Sequence, residues 1–273
     1  MTLPAPRDPH LDAGYWKRWA DYHRKSLAQF ERAFRKAINR AQFRVDFQCR
    51  PACSLVYMLY SGGHPLADVA GAMREMFAIK RGADDDYRAS QPYNQPYGLY
   101  GWGYETGYEA MLDELCWLVC LLDRESLLAY IARCNPAGDD RLFDLIVAKV
   151  DPTRVIAPAL AFPKRFTLLL AAAEIEPEAR PAALLKAFRT WKRRLPDKGL
   201  PPDGATTVVD GAHSGYWCWE CALLAALFDI DDSALRSDYK YPADVVDHYR
   251  RRCPEGGQAT VKSSTPPSTR TSS

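Results

Sequence analysis

From Trp16 onward the apolar and aromatic residues return every three or four positions: Trp16, Trp19, His23, Leu27, Phe30, Phe34, Ile38, Ala41 and Val45. That spacing places them on one stripe of a helix, and it excludes the two-residue alternation of a half-buried strand. Lys17, Arg18, Arg24, Lys25, Arg32, Arg35, Lys36, Arg40 and Arg44 fill the other faces. The pattern predicts an amphipathic helix over roughly Asp12 to Phe47. It is longer than most globular helices, so a break or kink within it is open. Pro51, which has no amide donor, is expected to interrupt it.

The same period continues downstream. Leu55 to Tyr60 is a short apolar run stopped by Ser61-Gly62-Gly63, and His64-Pro65 opens a helix from about Leu66 to Lys80 with Leu66, Val69, Met73 and Met76 or Phe77 inward. Residues 82 to 103 carry Asp84-Asp85-Asp86, Tyr93, Tyr97, Tyr100 and several glycines and read as a long surface loop. Further helices are expected over Tyr104–Leu122, Glu125–Arg133, Asp140–Val150, Ala161–Ala173, Pro181–Leu195 and Tyr216–Asp229, with a last one after Tyr241-Pro242. The single strand-like piece, Thr206 to Val209, cannot build a sheet. The expected fold class is therefore all-α, a multi-helix bundle with no substantial sheet.

Two of these helices are apolar on nearly every face. Met111 to Asp123 aligns without gaps on Trp217 to Asp229, setting Glu114 against Glu220 and Asp123 against Asp229, with Gly107-Tyr108 and Gly215-Tyr216 upstream. Any two buried helices look somewhat alike. Two related helical halves would look the same, with these helices at their centre. The expected organisation is a flexible N-terminus (1–11), an N-terminal half (12–135), a C-terminal half (136–252) and a disordered tail (253–273) rich in Gly, Pro, Ser and Thr.

With 273 residues, 47% of them hydrophobic, the chain can bury a sizeable core. Its net charge of +2, from 36 basic and 34 acidic residues, lacks the strong basic footprint of a nucleic-acid binder. Met1 to His10 has no apolar signal-like stretch, and no run approaches the ~18 residues of a membrane span. No membrane association is expected, and the cytoplasm is the default compartment. Cys49, Cys53, Cys116, Cys120, Cys134, Cys218, Cys221 and Cys253 read first as structural thiols, with disulfides or a metal as alternatives.

Signatures of chemistry are sparse. There is no GxxxxGK[ST], no GxGxxG between strand and helix, no GxSxG and no HExxH. Cys218 and Cys221 form a CxxC near His213, where a helix start would favour a thiolate, but the strand and parallel sheet of a redox domain are missing. Paired carboxylates such as Glu105 with Glu109 and Asp113 with Glu114 are numerous, yet nothing marks a sugar cleft. No catalytic residue, cofactor or metal is assigned. Glu220 is the most informative position. A carboxylate inside an apolar helix must be paired, hydrogen-bonded or turned toward a basic partner. Glu114 poses the same question. The stretch Glu105 to Asp144 and the group Asp229, Asp231, Asp232, Asp238, Asp244 and Asp247 lean acidic, which suits a basic protein partner as well as ordinary solvation.

The segment Gly215-Tyr216-Trp217-Cys218-Trp219-Glu220 through Asp231-Asp232, followed by Tyr241-Pro242-Ala243-Asp244-Val245-Val246, resembles the C-terminal signature of the PoNi immunity proteins. Val245 replaces the usual Leu. Tyr60-Ser61-Gly62-Gly63-His64-Pro65-Leu66 is similar to the N-terminal signature of that family. The resemblance implies a helical cytoplasmic protein that binds and neutralises a toxin, typically a DNase, delivered by a neighbour's type VI or related secretion system. The partner would be a toxin with a basic active-site groove, with no direct contact to nucleic acid; a homodimer is left open. Candidate motif or toxin-binding residues are Glu105, Glu109, Asp113, Glu114, Tyr216, Trp217, Trp219, Glu220, Asp231, Asp232, Tyr241, Pro242 and Asp244. The competing readings are an enzyme using Cys218, Cys221 and His213 or Glu220, and a helical scaffold without a toxin partner. The stretch 84–103 is a further candidate recognition element.

Overall fold

The computed structural model describes residues 4–34, 43–90, 100, 105–134, 139–195 and 214–253. Among them are ten α-helices and no strand: α1 (Ala13–Phe34), α2 (Arg50–Ser61), α3 (Leu66–Ser90), α4 (Glu105–Leu121), α5 (Arg124–Cys134), α6 (Arg141–Ala148), α7 (Pro163–Glu174), α8 (Arg180–Arg194), α9 (Trp219–Leu227) and α10 (Ala243–Arg252). The expected all-α bundle is what the chain forms. Thr206 to Val209, His213 and the tail beyond Cys253 lie outside the described residues. None of the described helices is long and apolar enough to cross a membrane.

The two apolar helices sit at the centre. Every residue of α9 is buried, and α4 buries Tyr108, Met111, Leu112 and all of Glu114 to Leu121. A helix apolar on all sides has no face to give to water. α4 is therefore wrapped by α3, α5, α9 and α10, and α9 by α4, α7, α8 and α10. One continuous apolar core runs from Leu11 to Tyr249 through both halves of the chain. A ring of aromatic side chains marks the junction of α2, α4 and α9. Trp117 meets Trp219 edge-on at 5.7 Å, Tyr57 meets Trp117 at 4.9 Å, and Tyr60 lies 4.8 Å from both Trp217 and Trp219.

Four expectations need correction. Pro51 does not interrupt the chain's helical course. A π-helical segment, Val45–Cys49, runs directly into α2, the Arg50 amide donates back to the Val45 carbonyl, and Pro51 occupies the first turn of α2. Residues 82–90 are not loop but the last turns of α3. Asp84 is fully buried, bound by Arg88 one turn on and by Arg133 of α5, while Asp85 pairs with Arg133 and Asp86 with Arg44. These ion pairs convert an acidic run that reads as solvated into a helix end fixed to its neighbours. The rest of that stretch, apart from buried Tyr100, lies outside the described residues. α9 begins at Trp219, since residues 214–218 lie outside any helix.

The fourth correction concerns residues 4–11, expected as a flexible lead-in. They are packed: Asp8 and Leu11 are buried, and the amide of Arg7 donates to the Ser61 carbonyl at 2.8 Å. Arg7 also lies over the Tyr60 ring at 4.5 Å and pairs with Asp244 at 2.7 Å. Gly63 makes this possible. At φ +80°, its missing Cβ would fall 1.9 Å from the Ala5 carbonyl oxygen.

Candidate functional site

The local sequence at the start of α4 puts Glu109 and Asp113 four residues apart, one turn above the other on one face. Against that face comes the first turn of α9 with Glu220. The segment before α9 is held to α2 by two bonds: the Trp217 indole N–H donates to Ser61 Oγ at 2.9 Å, and the Ser61 hydroxyl donates to the Ser214 carbonyl at 2.8 Å. Gly215, at φ +89°, permits this approach, because a Cβ there would lie 2.4 Å from both Ser61 Oγ and Trp217 Nε1. A cavity of about 400 Å³ results. Its acidic lining is Glu109, Asp113 and Glu220; its aromatic lining is Tyr57, Trp191, Tyr216, Trp217 and Trp219; Arg165 and Arg194 stand at one side.

The three carboxylates differ in what holds them. Glu109 is paired with Arg165 of α7. Asp113 accepts the Tyr57 hydroxyl at 2.8 Å. Glu220 is only 3% exposed, and its Oε2 has no hydrogen-bond partner. Burial, together with the Glu109 charge, pushes the Glu220 carboxyl up to about 7. Burial and the neighbouring Glu220 charge push Asp113 well above the usual carboxylate range. Arg194 is turned away, donating to the carbonyls of Arg165 and Lys164 at 3.1 and 3.2 Å. Two buried polar atoms of the lining thus stay unmet, the acceptor Glu220 Oε2 and the donor Trp219 Nε1. Among the described residues, no group of three His, Cys, Asp or Glu side chains is placed to hold a metal ion.

The structure sorts the sequence candidates. Glu109, Asp113, Tyr216, Trp217, Trp219 and Glu220 meet in the cavity. Glu114 does not. It faces the other way, bound by Lys80 Nζ at 2.6 and 2.7 Å and by the Tyr130 hydroxyl at 2.6 Å. The alignment of Glu114 with Glu220 therefore pairs residues with unlike surroundings; Asp113 and Glu109 are what Glu220 faces. Glu105 is exposed at the start of α4, and Asp231 is exposed and caps the turn at Ser233. Asp232 is buried beneath Arg236, Arg250 and the Tyr241 hydroxyl. Pro242 is the N-cap of α10 and Asp244 is bound by Arg7 and by the Tyr60 hydroxyl at 2.7 Å.

Much of the acidic lean is thereby answered within the chain. Asp140 caps α6 and accepts the Tyr108 hydroxyl, Asp144 binds Arg154, Asp238 binds Lys192 and Asp247 binds Arg236. Sequence reading did not find Arg165, Trp191, Arg194 or Tyr57, which come from three other helices and carry no local signal. The CxxC pair is packing. Cys218 and Cys221 are buried, all eight cysteines are separate thiols, and burial pushes Cys218 far up, the opposite of a reactive thiolate.

The two sequence signatures touch in space: Ser61 binds Trp217, and Tyr60 binds Asp244. Residues 138–245 match the family model of PoNe immunity proteins (PoNi), C-terminal. The PoNi match takes in α6 to α9, and with them Arg165, Trp191, Trp217 and Glu220. Glu109, Asp113, Tyr57 and the Tyr60–Leu66 turn lie outside it. No curated protein matches the chain. Among solved structures, protein PA2201 from Pseudomonas aeruginosa is similar in fold, with a TM-score of 0.68 at 21% identity over 92% of this chain and 93% of that one.

Proposed function

We propose that this chain is an immunity protein that binds and neutralises a cognate secreted antibacterial toxin, a DNase reaching the cell from a neighbour's type VI or related secretion system. The observation that carries the reading is the match of residues 138–245 to the C-terminal model of the PoNi immunity proteins. Neutralisation takes place in the cytoplasm by tight binding that occludes or distorts the toxin's active site. A DNase needs a basic groove for its substrate. The acidic lining of the Glu109–Asp113–Glu220 cavity, where Glu220 Oε2 is met by no donor of this chain, suits such a surface.

The test is capture of the product of the adjacent gene, followed by a nuclease assay with and without this chain. A stoichiometric complex with suppressed nuclease activity is expected. A toxin that neither binds nor loses activity at excess chain overturns the proposal. A second reading, an enzyme that inactivates the toxin, is favoured by the raised carboxyls of Asp113 and Glu220 in one cavity. The end point of the titration separates them. Binding requires one equivalent of this chain, whereas catalysis would silence the toxin at a small fraction of one. Replacing Cys218 and Cys221 by Ser leaves neutralisation intact in the folded double variant if binding alone is at work.

A further inference from the structure

We propose that the cavity between α4 and α9 is a receptor for one arginine side chain of the bound toxin, its guanidinium held by Asp113 and Glu220 and walled by aromatic rings. The proposal rests on the immunity reading and adds to it the place and chemistry of the anchor.

An acidic cluster alone would not establish a site. What singles this one out is Glu220 Oε2, buried in the cavity wall with no donor. A buried carboxylate oxygen without a partner costs stability, and the fold supplies no donor for it. Glu114, seventeen-residue helix and similar burial notwithstanding, is matched by Lys80 and Tyr130. The cations already near Glu220 are committed elsewhere, Arg165 to Glu109 and Arg194 to backbone carbonyls.

The occupant that fits is a cation. A metal ion would need oxygens converging at short coordination distances, and the described residues offer no such group. An organic cation spans wider-set carboxylates. Guanidinium carries five donors in a plane and stacks on indole, matching acceptors walled by Trp191, Trp217 and Trp219 better than a compact ammonium does. A DNase groove is lined with such side chains. An arginine seated centrally in a desolvated pocket is also the kind of residue on which protein interfaces concentrate their affinity.

Binding should be linked to protons. The groups facing Glu220 are Glu109 and Asp113 from α4, Arg165 from α7, Arg194 from α8 and the Cys218 thiol just before α9, with Tyr57 of α2 on Asp113. With Glu220 near 7, the ionised fraction rises about tenfold between pH 6 and pH 8, and a cation that requires the ionised form gains about tenfold in affinity.

The test titrates the full chain with N-acetyl-arginine amide and with its neutral isostere N-acetyl-citrulline amide, read by the indole signals of Trp217 and Trp219. The expected result is saturable binding of the arginine probe, about tenfold tighter at pH 8 than at pH 6, with no response to citrulline. Glu220→Gln, checked for folding by thermal melting, should abolish both the binding and its pH dependence, and should weaken capture of the toxin. Equal responses to the two probes, no saturation, or a folded Glu220→Gln that binds as the wild type does overturns the receptor. The two proposals fail separately. A wild-type chain that neutralises the toxin but ignores the arginine probe loses only the cavity assignment; one that binds the probe but not the toxin loses the immunity reading.

Discussion

Two carboxylates stand on the two central helices, and the fold treats them in opposite ways. Glu114 and Glu220 are both buried, at 7% and 3% exposure. Glu114 is clasped by Lys80 and Tyr130, while one oxygen of Glu220 is left without a donor. A buried charge is tolerated when its partners are built in and is a standing cost when they are not. The first arrangement belongs to the scaffold; the second leaves a buried acceptor that no donor of the chain answers. The contrast also explains why the acidic look of the sequence overstates the acidic surface of the molecule. Many of its carboxylates, Asp84, Asp144, Asp232 and Asp238 among them, are already answered by arginines and lysines of the same chain.

The comparison is broken most directly at Lys80. Lys80→Met leaves Glu114 buried without its cation and should destabilise the fold by ~3–5 kcal/mol in urea unfolding at pH 7. Replacing Glu114 by Leu as well should recover much of that loss. Burial lowers the Lys80 pKa, but the Glu114 carboxylate more than offsets this and leaves it raised. The pair's contribution is therefore complete below the ordinary lysine value of 10.5 and is lost as pH rises through the raised one. An unfolding free energy within about 1 kcal/mol of the wild type would mean that Glu114 is not structural in the sense argued.

Glu220→Gln should act in the other direction. The folded-state value near 7 lies above the ordinary 4.5, so the folded chain holds the proton longer than the unfolded chain does. Stability associated with Glu220 is present below about pH 4.5 and drains away up to pH 7. The glutamine variant should accordingly be more stable than the wild type at pH 8 by ~3 kcal/mol, at ~1.4 kcal/mol per unit, and unchanged or slightly weaker at pH 4. A variant less stable at pH 8 would show that Glu220 is paired in the fold after all.

Asp232 sharpens the contrast from the scaffold side. Burial raises its carboxyl, but bonds from Arg236, Arg250 and Tyr241 outweigh that and leave it lowered. Its contribution is present above the ordinary 3.8 and is lost as pH falls through the folded value. Asp232→Asn should cost about 2 kcal/mol at pH 7 and flatten the acid limb of the stability profile, as a lost charge-assisted bond does. The smallest effect is expected at Asp244, which is partly exposed. Asp244→Asn should cost about 1 kcal/mol, mostly through the Arg7 and Tyr60 bonds, and should loosen residues 4–11 in amide exchange.

The sequence by itself determined the helical class, the central place of the two apolar helices and part of the cavity's lining: Glu109, Asp113, Tyr216, Trp217, Trp219 and Glu220. Helical periodicity is a local property, and a segment apolar on every side can only be interior. It did not determine which carboxylates are scaffold and which are left open. Glu114 and Glu220 look equivalent along the chain, and Asp84-Asp85-Asp86 looks like a solvated loop. Their partners lie far away in sequence: Lys80 is 34 residues from Glu114, Arg133 is 49 from Asp84, and Arg7 is 237 from Asp244. Partner choice is a matter of distance in space, and only the packing of α4 against α9 brought Glu109 and Asp113 to Glu220 while turning Glu114 toward Lys80.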